Sequence, residues 1–210
     1  MNNVHRTVHF LERINEMSVY EQKNKKTKAS IQQAFLSLLE KSSFEAIAVG
    51  QIATAAAINR GTFYLHYLDK YDLLDKIEEQ LFEALGKQID ELQALQPYTS
   101  SFESEQRKLA AALFQSILVQ APLLKIFLSE RGRAGFHLRF RNAFAQKVRT
   151  NLEKSAYFQQ ANVSLDYFLS FITSAFLGLV EQWVQNDWQE TPEQMTTLYI
   201  DIIHFIQRTK

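Results

Sequence analysis

The sequence predicts an all-α protein of about nine helices, because apolar residues recur every three or four positions through most of the chain. Two further observations agree. Among 210 residues there are only 6 Gly and 3 Pro, the residues that interrupt helices most. Good helix formers (Leu, Ala, Gln, Glu and Lys) are abundant. A hydrophobic content of 46% supports a sizeable core, and the length suits one large domain or two smaller ones. Cysteine is absent, which excludes disulfides and thiolate metal sites. Neither a metal nor another cofactor is expected. No apolar run is expected to cross a membrane, and the N-terminus lacks the apolar segment of a secretory signal. The expected location is the cytoplasm.

Residues 1–22 form an N-terminal extension. Val8, Leu11, Ile14 and Met17 fall at helical spacing, and the expectation is a frayed helix, with a minor-groove arm as the alternative reading. Met17 is an alternative start of translation. Residues 23–70 read as a three-helix unit. Ile31, Ala34, Phe35, Leu38 and Leu39 make one apolar stripe, and Phe44 and Ile47 pin the loop after it. Val49, Ile52, Ala53 and Ala56 line a second, short helix, whose small alanines admit a close neighbour. Asn59 is a good N-cap for a third helix over about residues 60–66. Phe63 and Tyr67 lie i,i+4 and should pack inward. That leaves Arg60, Thr62, Tyr64, Leu65 and His66 on other faces, the arrangement that lays a helix in a DNA major groove. Asp69 then caps a long helix with Asp72 in its first turn. Lys70 beside free N–H groups there makes a phosphate site.

Residues 71–210 form the second part. Helices are expected over 71–96 (closed by Pro97), 100–120 and 122–129. A loop at 131–135 follows, and then a helix carrying Phe136, Phe140, Phe144, Val148 and Leu152. Ser164 opens a helix to about residue 187, and Thr191-Pro192-Glu193-Gln194 is a strong start signal for the last, ending near Arg208. The 164–187 helix is apolar nearly all round, which demands burial on more than one side. A homodimer with a four-helix interface is the economical solution, using Phe168, Ile172, Phe176, Leu179, Trp183, Leu198, Ile202 and Phe205.

The stretch AVGQIATAAAINRGTFYLHYLDKYDLL resembles the DNA-binding signature of the TetR family of transcriptional regulators. Arg60, Gly61, Thr62, Phe63, Tyr64, His66, Tyr67 and Lys70 fall in register with the family pattern. Two turn positions depart: Ala57 stands where Gly is usual and Asn59 where Ser is usual. Asn caps as well as Ser. Ala57 matters only if its φ is positive. The similarity covers residues 25–85, and beyond them it is one of architecture. It implies a helix-turn-helix at 23–70, with a helical effector-binding and dimerisation domain behind it.

The resemblance implies a ligand-responsive repressor that binds a palindromic operator in double-stranded DNA as a homodimer. Lys28, Arg60, Gly61, Thr62, Tyr64, Leu65, His66 and Lys70 are the expected DNA-binding residues. Arg60 is placed to meet a base edge or a phosphate, and Leu65 a thymine methyl. Phe114, Phe127, Phe140 and Phe171 are the candidates for a small-molecule effector pocket. The alternative trigger is a protein partner on the second domain, with action as repressor or activator. An all-α enzyme is the distant alternative: no Gly-rich phosphate loop or nucleophile elbow occurs, and no metal-ligand spacing appears outside His5 and His9.

Charge placement fits DNA better than total charge does. The net charge is 0, whereas DNA-binding domains often carry a basic excess. Yet Lys23, Lys25, Lys26 and Lys28 cluster with no acid between Glu21 and Glu40, and Arg60 is the one full charge from 46 to 68. A second basic run, Arg131, Arg133, Arg139, Arg141, Lys147 and Arg149, reads as a solvated helix face, with an anionic effector site as the alternative.

Overall fold

A computed structural model describes residues 2–91, 102–153 and 163–208, with side chains assigned in most of them from residue 20 onward. The described residues hold nine α-helices, one 3-10 turn and no strand. The helices are α1 (Asn2–Leu39), α2 (Val49–Ala55), α3 (Arg60–Tyr64), α4 (Lys70–Glu91), α5 (Phe102–Val119), α6 (Ala121–Phe127), α7 (Phe136–Leu152), α8 (Leu165–Gln185) and α9 (Pro192–Arg208). The 3-10 turn is Phe44–Ala46. The chain divides into two compact units, Met1–Ile77 and Glu78–Lys210, so α4 begins in the first and continues in the second. The close of α4 expected at Pro97 lies outside the described residues.

In the first unit, Ile31, Phe35 and Leu39 of α1 are fully buried, together with Phe44, Ile47, Ile52, Phe63, Leu73 and Leu74. Phe44 meets Phe35 and Tyr71 edge-on, at 6.2 and 5.0 Å between ring centroids. The α2–α3 connection is a Schellman turn. The Ile58 N–H donates to the Ala53 carbonyl and the Ala57 N–H to the Thr54 carbonyl. Ala57 supplies the left-handed residue with a φ of 55°. The turn therefore does need positive φ at the position where the resembled pattern carries Gly, and Ala meets that need with a strained Cβ.

In the second unit, α5 packs on α9, α7 on α8, and α6 on both α5 and α8. Phe114 is buried among Phe176, Trp183 and Tyr199, with centroids 5.8–6.0 Å away. Phe144 stacks on Phe176 at 4.7 Å. Thr191 opens α9 with a capping box: its N–H donates to the Gln194 side chain at 2.8 Å, and the Gln194 N–H donates back to its hydroxyl at 3.3 Å. Gly132 packs so close to α6 that a Cβ there would lie 2.7 Å from the Phe127 carbonyl oxygen.

Two sequence-based expectations change in this unit. Arg139 is half-buried and paired, not part of a solvated face. Its guanidinium donates twice to Glu78, at 2.6 and 2.8 Å, and once to the Ala134 carbonyl at 2.9 Å. The Glu78 side chain is only 4% exposed and that of Arg139 27%, so this is a part-buried ion pair with the carboxylate inside. Arg149 likewise pairs with Asp166 and with Glu153. The second change concerns α8, 21 residues long, whose most apolar 18-residue stretch has a mean hydropathy of 1.3, which makes it long and apolar enough to cross a membrane. In the fold, Leu169, Thr173, Phe176, Leu177, Val180 and Trp183 bury one side of it, as in a core helix.

Candidate functional site

The site begins with the cap of α3. The Asn59 side-chain oxygen accepts the Thr62 backbone N–H at 2.7 Å and the Thr62 hydroxyl at 3.1 Å. This fixes the first turn of a helix only five residues long, which could not hold its shape alone. Phe63 and Tyr67 are anchored beneath it at 0% and 3% exposure, their rings 5.7 Å apart. With those two turned in, Arg60, Gly61, Tyr64 and Leu65 are turned out, and Thr62 and His66 are half-buried. Leu65 is 83% exposed.

Arg60 lies back over α2. A Cβ on Gly50 would sit 3.1 Å from its Nη2 and 3.4 Å from its Nε, so Gly50 provides the room for this guanidinium. Lys28 is exposed on α1, close enough for its charge to be felt at His66. His66 is held below the usual imidazole pKa, first by burial and second by the Lys28 ammonium. At neutral pH it is therefore a neutral donor and acceptor beside a fixed cation.

Two side chains have duties different from those expected. Thr62 spends its hydroxyl on the cap. The Lys70 ammonium donates to three backbone carbonyls, those of Phe44, Glu45 and Ile47, at 3.0, 2.9 and 2.9 Å. It also lies 4.7 Å from the Phe44 ring centroid. An ammonium has three donors, and all three are used. Nor are the N–H groups at the start of α4 free for a phosphate. Asp69 accepts those of Tyr71 and Asp72, both at 2.8 Å, and Asp72 reaches back to the Leu68 N–H at 2.9 Å. The same Leu68 bond, with help from Lys76, holds the Asp72 carboxyl below its usual pKa. Helix start, cation and anions form a closed set.

The structure adds residues that the sequence reading missed. Leu68 is 80% exposed, three residues beyond Leu65, where an apolar side chain gains nothing from the protein. Gly50 carries no signal of its own until Arg60 is seen above it.

In the second unit the expected interface residues separate. Phe176 and Trp183 are buried inside the protomer, at 6% and 1% exposure, and so cannot face a partner. Phe168, Ile172 and Leu179 are half-buried, and Leu198, Ile202 and Phe205 are exposed. Tyr167 and Phe171, at 80% and 63% exposure, share the outer face of α8. Phe171 therefore cannot line an interior pocket. Phe114, Phe127 and Phe140 are buried in the aromatic core. A cleft of about 20 Å³ lies between α4 and α7, lined by Phe82, Leu85, Gly86, Phe140, Phe144 and Lys147 among others.

Residues 104–205 match the TetR-type family described as transcriptional regulator C-terminal region. An uncharacterized HTH-type transcriptional regulator of Bacillus subtilis (strain 168), YxbF, is 21% identical over 168 residues, 80% of this chain. The chain spans 42% of the length of that curated relative. Among solved structures, a TetR transcriptional regulator from Streptococcus agalactiae superposes with a TM-score of 0.64 at 24% identity, covering 89% of this chain and 98% of the other. NalD of Pseudomonas aeruginosa, the secondary repressor of the MexAB-OprM multidrug efflux pump, also superposes with a TM-score of 0.64, at 17% identity, covering 87% and 96%. Residues 104–205 thus carry the C-terminal region of a TetR-type transcriptional regulator, and the chain shares the all-α fold of solved TetR-family regulators.

Proposed function

We propose that this regulator is a cytoplasmic, homodimeric repressor that binds a palindromic operator in double-stranded DNA, and that it acts by binding rather than by catalysis. The observation that carries the DNA reading is the division of α3. Phe63 and Tyr67 anchor it from within, while Arg60, Tyr64 and Leu65 stand outward with Lys28 and His66 beside them. A short helix built this way enters the major groove with its N-terminal residues near base edges. Arg60 is the candidate for a base or phosphate contact, and Gly61 lets the backbone approach. Lys28, Tyr64 and His66 serve phosphates, and Leu65 serves a thymine methyl. Thr62 supports the helix through its cap.

The dimer reading rests on Tyr167 and Phe171 of α8 with Leu198 and Ile202 of α9, at 41–80% exposure. A second copy related by a two-fold axis would cover these helices as a four-helix bundle, and a two-fold dimer reads two operator half-sites about one helical turn of DNA apart or slightly more.

The trigger in this reading is a small-molecule effector bound among the helices of the second unit, with a protein partner on that unit as the alternative.

A gel-shift titration against the DNA upstream of the chain's own gene tests the function. Retarded complexes that weaken steeply with added salt are expected, with sedimentation reporting a dimer. Salt-independent retention, or no binding to any duplex, ends the regulator reading.

A further inference from the structure

We propose that Lys70 positions the DNA-reading helices instead of contacting DNA: its ammonium clamps the turn that enters α2 onto the first residue of α4. This rests on the DNA-binding reading of α3 above.

The clamp is built from backbone. The three carbonyls that receive the ammonium belong to Phe44, Glu45 and Ile47, in and just after the 3-10 turn. The next residue, Ala48, is the N-cap of α2, and its N–H donates to Gln51 at 2.7 Å. Lys70 itself opens α4. The segment from 44 to 70 is thus closed into a loop that holds α2 and α3 between its two ends. The rings of Phe44 and Tyr71 flank the cation at 4.7 and 5.6 Å. The carbonyl end of a helical turn is its negative end, so the cation is held by charge as well as by hydrogen bonds.

A phosphate could not recruit this group without loss. Three carbonyls, two of them in part-buried bonds, would lose a charged donor for one new partner. The carboxylates of Asp69 and Asp72 already occupy the adjacent N–H groups and would repel the phosphate.

The experiment compares the full chain with its Lys70→Gln and Lys28→Gln variants. Two duplexes serve as probes, one of random sequence and one selected from a random pool by the unaltered chain. Binding to each is measured across a salt series. A phosphate contact contributes about one to the slope of log affinity against log salt. Lys28→Gln is expected to lower the slope by about that amount. Lys70→Gln is expected to keep the slope while the selected-to-random affinity ratio falls about tenfold. A slope lowered as in Lys28→Gln overturns the proposal. So does an unchanged ratio, which would make Lys70 structural only.

Should Lys70→Gln fail to fold, heteronuclear NMR of the Lys70 ammonium in the unaltered chain decides. A signal in slow exchange with water, unmoved by random duplex, supports the clamp. A fast-exchanging signal that shifts when duplex is added overturns it. If the unaltered chain binds no duplex, the DNA reading itself fails and the positioning role falls with it, while the ammonium signal still reports whether the clamp forms.

Discussion

The carboxamide oxygen of Asn59 holds both the backbone N–H and the hydroxyl of Thr62, at 2.7 and 3.1 Å. One acceptor thereby fixes the start of the helix that carries Arg60 and Tyr64. Asn59→Ala is expected to lower the stability of the first unit by about 1 kcal/mol. Urea unfolding followed by circular dichroism measures this. Asn59→Ser should restore most of the loss, because a hydroxyl oxygen can take the same N–H.

Ala57 adopts a φ of 55°, where its Cβ costs about 1–2 kcal/mol and a glycine would not. Glycine returns part of that gain through the greater freedom of the unfolded chain. Ala57→Gly is therefore expected to raise stability by about 0.5–1 kcal/mol, seen as a higher urea midpoint at constant slope. A lowered midpoint would contradict the strain assigned to this turn.

The pKa of His66 lies below its ordinary 6.5, through burial first and Lys28 second. The folded state thus binds a proton less readily than the unfolded chain. The stability His66 contributes is fully present above pH 6.5 and is lost as pH falls through its lowered value. An NMR titration of the imidazole should give a midpoint below 6.5. Lys28→Gln should raise that midpoint only part of the way back, since burial is the larger cause. A full return would reverse the order of the two.

Phe171 and Phe176 lie five residues apart on α8 and face opposite environments, at 63% and 6% exposure. Phe176→Ala is expected to destabilise the second unit by about 3–5 kcal/mol, because it empties a packed core. Phe171→Glu should leave thermal unfolding of a monomer little changed and shift sedimentation from dimer to monomer. A dimer that survives Phe171→Glu would move the interface elsewhere.

How much of this was legible beforehand depends on the range of each interaction. The cap at Asn59, the inward pair Phe63 and Tyr67 and the start of α9 at Thr191 rest on contacts within four residues, and the sequence displays them directly. The sequence alone points Lys70 at a phosphate because its three acceptors are backbone carbonyls 23–26 residues away, and any residue offers a carbonyl. Arg139 reads as solvated in the sequence because Glu78 lies 61 residues off. On α8, apolar residues cover most of the circumference, so periodicity could not separate the face of Phe171 from that of Phe176. The positive φ of Ala57 depends on the whole α2–α3 turn, so the residue type alone does not reveal it.

The Glu78–Arg139 pair also bears on how this sequence can change over time. Losing Arg139 alone strands the buried Glu78 carboxylate at about 3 kcal/mol, a large share of a small domain's total stability, and losing Glu78 alone takes two charged acceptors from a part-buried guanidinium at a smaller cost. Replacing both with apolar residues of similar size is close to neutral. Every single-step route from one viable state to the other therefore passes through a weakened protein. Descendants of this chain should carry both charges or neither, so these two sites are expected to vary together across lineages while their neighbours drift independently.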